Sequence, residues 1–216
     1  METLPHDTFF TIIRDLTSLD IKRLTLVNSV IHHDVRIYWK KKLEKKYQMK
    51  FNFVKFGCVE SKISWGKLYE YSNNKSLNML LFSAINENRL DWLEIFLASG
   101  IRYDVGIEKS AWNNKIEAMK LLLQYKISDP TSNGNYAIKW ASCHGYAEIV
   151  KLLLKDGRAN PVTENNYCLT WAARRGKIET VETLLTDDRV KKYKDRSEAR
   201  KYAQERNYGH IIKLLE

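Results

Sequence analysis

Between residues 77 and 216 the apolar positions recur at helical spacings, and short polar stretches interrupt them at regular intervals. Val150, Leu153 and Leu154 fall at i, i+3 and i+4, which gives one apolar stripe and predicts a helix over 147–154. A second helix is predicted over 136–144. Gly145 stands between the two, where a residue free to adopt a left-handed backbone permits a tight turn. The polar stretch KDGRANPVTEN then follows, with the Asp, Asn, Pro and Gly of a loop. The unit repeats: NYAIKWASCHGYAEIVKLLL at 135–154 aligns with NYCLTWAARRGKIETVETLL at 166–185, always at an offset of 31. Asn135, Tyr136, Trp140, Ala141, Gly145, Glu148 and Val150 match Asn166, Tyr167, Trp171, Ala172, Gly176, Glu179 and Val181. The same step leads forward to Ala203 and Ile212, and backward to Ser110 and Met119. A looser copy begins at Leu77, with Ala84 in the small-residue slot. One helix pair cannot bury its apolar face alone, whereas about five stacked pairs form a solenoid with a continuous core.

This pattern resembles the ankyrin repeat. Ala141, Gly145, Glu148, Val150, Leu153, Leu154, Gly157, Asn160 and Pro161 carry the resemblance, with their counterparts one unit on. Two departures stand out. Tyr136-Ala137-Ile138-Lys139 replaces the family's Thr-Pro-Leu-His opening, and the period is 31 instead of the usual 33. Tyr and Trp in the first helix resemble arrays encoded by large amoeba-infecting DNA viruses and by some lower eukaryotes. The resemblance implies binding through hairpin tips and the exposed ends of first helices. Here these are Trp112, Asn113, Ser132, Asn133, Asn135, Cys143 and His144, then Thr163, Glu164, Asn166, Arg174 and Arg175. Trp140 and Trp171, each preceding the key alanine, are expected in the core.

Residues 1–47 have no repeat character. Phe9, Ile12, Ile13 and Leu16 share one helical face, Ile21, Leu24 and Val27 a second, and a basic helix is predicted over 35–47. Three short helices make a core too small to stand alone, so this segment is expected to complete its apolar face on a partner or on the solenoid. Leu4, Pro5, Asp7, Ile12, Ile13, Leu16, Asp20, Ile21, Leu24, Val27 and Trp39 follow a spacing similar to that of the F-box, with Ile31 where the family has a middle Trp. Ser64-Trp65-Gly66-Lys67-Leu68-Tyr69 is similar to a segment that often trails an F-box. That resemblance implies docking onto a Skp-type adaptor of a cullin–RING ubiquitin ligase through Leu4, Pro5, Asp7, Ile12, Ile13, Leu16, Ile21 and Leu24. The expected architecture is therefore all-α, with an F-box-like module over 1–47, a connector over 48–76 and a helix-pair solenoid over 77–216.

Composition changes this picture little. With 44% apolar and 29% charged residues, 3 Pro and 9 Gly, the chain is that of an ordinary globular protein. No apolar stretch approaches membrane-spanning length. The N-terminus lacks the basic and apolar regions of a secretory signal, and three scattered cysteines suit a reducing compartment, cytoplasmic or nuclear. The net charge of +10 raises the question of an acidic partner. The densest run (Arg36, Lys40, Lys41, Lys42, Lys45 and Lys46) reads as a solvated helix face, and Asp195 and Glu198 dilute the basic stretch 189–201. An acidic protein is thus favoured over nucleic acid. No paired carboxylates, nucleophile constellation or phosphate loop is legible. Adjacent His32 and His33 point to different helix faces, and Cys143-His144 lacks further ligands at zinc spacing. No enzyme activity, cofactor or metal is expected.

Overall fold

A computed structural model describes residues 76–98, 103 and 105–216, together with Lys41, Glu44 and Lys45. Its contacts divide the chain into Met1–Leu80 and Leu81–Glu216. In the first unit Lys41, Glu44 and Lys45 are helical, within the helix expected over 35–47. The F-box-like positions Leu4 to Trp39 and the trailing Ser64–Tyr69 motif lie outside the described residues, as do His32 and His33.

The described residues are all-α, without a strand. Helices run in pairs: α1 (Leu77–Asn86) and α2 (Leu90–Ala98), α3 (Gly106–Trp112) and α4 (Ile116–Tyr125), α5 (Ser132–His144) and α6 (Ala147–Asp156), α7 (Thr163–Arg174) and α8 (Ile178–Leu185). The short α9 (Asp188–Lys192) precedes a last pair, α10 (Ser197–Glu205) and α11 (Gly209–Leu214). Within the second unit, α3, α5, α7 and α10 pack side by side as a row of first helices. Behind them α2, α4, α6, α8 and α11 form a row of second helices.

One local device repeats in every pair. The first helix ends on a left-handed residue, Asn88, Asn114, Gly145, Gly176 or Asn207. The next amide donates back to a small residue five positions earlier: Arg89 to Ala84, Lys115 to Ser110, Tyr146 to Ala141, Lys177 to Ala172 and Tyr208 to Ala203, all at 2.8–2.9 Å. This is a Schellman-type end, which satisfies an orphan carbonyl and reverses the chain into the second helix. The acceptor slot holds Ala or Ser because it is fully buried between helices. The left-handed positions from 114 onward keep the expected spacing of 31, whereas the first interval is 26 residues.

The core lies between the rows. First helices contribute Ile107 and Ala111, Ala137, Ile138 and Ala141, Cys168, Leu169 and Ala172, and Ala199 and Ala203. Second helices contribute Met119 and Leu122, Ile149, Val150 and Leu153, Val181 and Leu184, and Ile211. Each fully buried aliphatic side chain contributes roughly 1.5–3 kcal/mol.

The α5 and α7 starts depart from helix geometry. Asn133, Gly134 and Asn135, and again Glu164, Asn165 and Asn166, are three successive left-handed residues. The regular helix therefore begins at Tyr136, as its sequence spacing predicts, and at Tyr167 in the next unit. The loops ahead of these turns carry no β-pairing, so the expected hairpins are turns built on side-chain caps. Asp129 accepts from Thr131, Asn160 from the Val162 amide and Asp187 from the Arg189 amide.

Arginines then tie loop to loop: Arg158 Nη1 donates to Ser128 O at 3.1 Å, and Arg189 Nη1 to Ala159 O at 2.8 Å. Their other N–H groups grip Asp156 and Asp187. The hydrogen bond from Arg189 holds the Asp187 carboxyl below the usual carboxylate range, against a smaller upward push from burial. A depressed folded-state value gives stabilisation that is full above the unfolded value near 4 and is lost as pH falls through the folded one. Acidification from about pH 5 to about pH 3 is expected to lower the denaturant midpoint, with a smaller loss in Arg189→Gln. Parallel acid limbs for the two proteins would contradict this role for the pair.

Candidate protein-binding face on the first-helix row

The row of first helices carries a continuous band of aromatic rings and cations. In α5, Tyr136, Trp140 and His144 are spaced at i, i+4 and i+8, so they stack along one face. The Trp140 ring lies 4.0 Å from His144, 5.8 Å from Tyr136 and 4.7 Å from Trp112 of α3, all near-parallel. Tyr146 extends the stack at 5.9 Å from His144. His144 Nδ1 lies 2.9 Å from the Trp140 carbonyl. A carbonyl only accepts, so Nδ1 carries a proton there. In α7, Trp171 lies 5.5 Å from Tyr167.

Cations cover these rings. Lys109 sits 5.2 Å from Trp112, Lys139 5.6 Å from Tyr167, and Arg174 4.6 Å from Trp171 and 4.8 Å from Tyr202 of α10. Arg175 lies 5.8 Å from Trp171. Each such pair is worth about 0.5–1 kcal/mol where exposed, and more importantly fixes the orientation of a long side chain. Between α5 and α10 the band deepens into a cavity of about 400 Å³, with Arg174, Arg175, Lys177 and Arg206 around it and His144, Trp171 and Tyr208 as ring walls.

Two glycines shape this cavity. Gly145 is left-handed, and a Cβ there would meet Lys177 Cδ at 2.6 Å. Gly176, also left-handed, would place a Cβ 2.8 Å from the Tyr208 ring. The side chain that follows one turn thus lies over the turn of the preceding unit.

The expected contact residues do not all behave alike. Trp112, 47% exposed, joins His144, Arg174 and Arg175 in the aromatic–cation band. A second group is occupied by internal hydrogen bonds. Ser132 donates to the Asp129 carbonyl within its own loop, whereas the others hold repeats together: Asn113 donates to Asn86 Oδ1 and Asn133 to Glu108, Glu164 pairs with Lys139, and Asn135 Oδ1 accepts from the Asn160 amide at 2.7 Å. Thr163 is half-buried at the start of α7.

Cys143 and Asn166 need correction, because both are buried, at 8% and 1% exposure. Cys143 lies one position from the inward-facing Ser142. Its thiol is raised by burial, against the pull of Arg175, Lys177 and Arg174. Asn166 is the equivalent of Asn135, but its donor one unit on is residue 191, which belongs to α9 and not to a turn. Its amide therefore turns inward without a partner among the described residues. Trp140 and Trp171 also differ from expectation. Ala137, Ile138 and Ala141 take the core-facing arc of α5, so Trp140 points along the row and is half-buried, as is Trp171.

Sequence reasoning did not single out Lys177, Tyr202, Arg206 or Tyr208. The period of 31 held the signal, since it places Tyr202 in register with Trp171, and Tyr208 with Lys177. Cys168 is pushed up to about 12 by burial and is a neutral thiol. Among the described residues no three His, Cys, Asp or Glu cluster in a metal-binding arrangement, and no helix is long and apolar enough to cross a membrane.

None of the curated proteins matches this chain. Residues 107–197 match the family model for ankyrin repeats, in three copies spanning α3 to the start of α10, so this part of the chain is an array of ankyrin repeats, a protein–protein interaction module.

Proposed function

We propose that the chain is a non-enzymatic adaptor that holds a protein partner across its first-helix row. The aromatic–cation band carries this reading. Side chains enriched at binding hot spots, Trp, Tyr and Arg, lie together on one face, held by stacking before any partner arrives. Large rigid rings gain contact area at low entropic cost, and pre-orientation reduces what binding must order. The partner side of the reading is tested by where a bound protein touches the array: at Trp112 on the first-helix row, and not at Lys151 on the second.

The F-box-like spacing of 1–47 supports a more specific form of the proposal. In it, this segment docks a Skp-type adaptor through Leu4, Pro5, Ile12, Ile13, Leu16 and Leu24, and the repeats present a target to a cullin-type ubiquitin ligase. The mechanism is proximity, a raised effective concentration of target near the ligase. Co-purification of the full chain with the Skp-type adaptor, lost in an Ile13→Asp, Leu16→Asp variant, is the expected result. An intact chain that does not bind the adaptor would leave a plain ankyrin scaffold or inhibitory binder, without the ligase link.

A further inference from the structure

The cavity between α5 and α10 differs from the rest of the array in how its cations are used. Arg89, Arg158 and Arg189 each grip an aspartate two residues away, and Lys139 pairs with Glu164. Arg174, Arg175, Lys177 and Arg206 form no ion pair within the described residues, and no carboxylate lines their cavity. Four like charges around about 400 Å³ repel one another, and a net anionic occupant relieves that repulsion. Two guanidiniums lie against the Trp171 ring. Contact through the ring face spends none of a guanidinium's N–H donors, which stay available for bidentate capture of a planar carboxylate. Three of the four, Arg175, Lys177 and Arg174, already act on the buried Cys143 thiol.

The geometry points to an acidic peptide segment of the partner as the occupant of this cavity, its glutamate or aspartate carboxylates seated among Arg174, Arg175, Lys177 and Arg206 against the faces of Trp171 and Tyr208. The inference rests on the first-helix row being the protein-binding face, and it names the chemistry of what that face takes. A nucleic-acid strand fits less well. Glu108 of α3 and Glu164 at the start of α7 stand on the same row and would repel a continuous phosphate track. A short segment places its negative charge only where the four cations are.

The test is fluorescence polarisation with the full chain and a labelled peptide of about ten alternating glutamates and serines, its glutamine counterpart, and an oligothymidylate of matching charge. The glutamate peptide is expected to bind at low salt and the glutamine peptide at least about tenfold more weakly. Arg174→Gln and Arg206→Gln are each expected to weaken the glutamate peptide about tenfold, the worth of one charge-assisted hydrogen bond. Lys155→Gln, exposed on α6, should change it less than about twofold. Arg206 is exposed, so its substitution leaves the fold intact and keeps the test sharp if Arg174→Gln perturbs the ring stack. No binding of the glutamate peptide, equal losses in all three variants, or tighter binding of oligothymidylate released by the same substitutions would each overturn the inference. If a photoreactive residue placed at position 112 forms protein adducts while the peptide is not bound, this inference alone fails. If no adduct forms there, the binding face itself is misplaced.

Discussion

Ala172→Asp is expected to abolish cooperative folding of the repeat array. Ala172 is fully buried in α7, where that helix packs against α5 on one side and α10 on the other. Its carbonyl already accepts the Lys177 amide at 2.9 Å, and its Cβ stands in a slot that every unit fills with Ala or Ser. A carboxylate there has no cation within the core to meet it. Burial of an uncompensated charge costs at least about 3–5 kcal/mol even after relaxation, comparable with the whole stability of a small domain. In a solenoid each unit leans on its neighbours, so loss of the fourth pair uncouples the fifth from the third. Ala172→Gly removes the methyl group and adds chain entropy, costing about 2 kcal/mol. Denaturant unfolding followed by circular dichroism separates the two: a single shifted transition for Gly, and a lost or split one for Asp. An Asp variant with the parental midpoint would mean that α7 does not pack as described.

Gly176→Ala is expected to cost about 2–5 kcal/mol, the second largest effect. Two terms add. A left-handed backbone costs an L-residue roughly 1–2 kcal/mol, and the new Cβ would lie 2.8 Å from the Tyr208 ring, forcing an overpacked site worth about 1–3 kcal/mol. The molecule contains its own control. Gly157 is equally left-handed, at φ 82°, with nothing within 4 Å of its would-be Cβ, so Gly157→Ala carries the backbone term alone. Gly176→Asn tests the other half, because Asn114 and Asn207 hold the same backbone position in other units without glycine. The measured order of stability should be Gly157→Ala above Gly176→Ala. The reverse order would place Tyr208 away from the Gly176 turn, and with it one wall of the cavity.

The fold was legible where the sequence repeats itself. An offset of 31 that carries Gly145 to Gly176 and Ala141 to Ala172 is a statement about backbone geometry, because only the turn and the close helix contact demand those residues. The start of the regular helix at Tyr136 followed in the same way. Less could be read of the face. Periodicity says that Trp140 is one residue before the core alanine, but not that Ile138 and Ala141 claim the inward arc and leave the tryptophan to stack along the row. Asn166 misled for a related reason. Its twin, Asn135, caps a turn, and only the appearance of α9 one unit later removes the donor. Partner residues 25 positions apart, such as Lys139 and Glu164, belong to the stacking of units and have no signature within a single one. The cation cavity is of the same kind, since α5, α7 and the last pair each contribute to it.

The most direct test of the binding face is site-specific photo-cross-linking of the full chain in cells. A benzophenone amino acid is placed at Trp112, exposed on the first-helix row, or at Lys151, exposed on the second-helix α6. The account predicts a discrete protein adduct at position 112, diminished by Trp140→Ala in the neighbouring ring, and none at 151. Adducts formed equally at both positions, or at 151 alone, would contradict it.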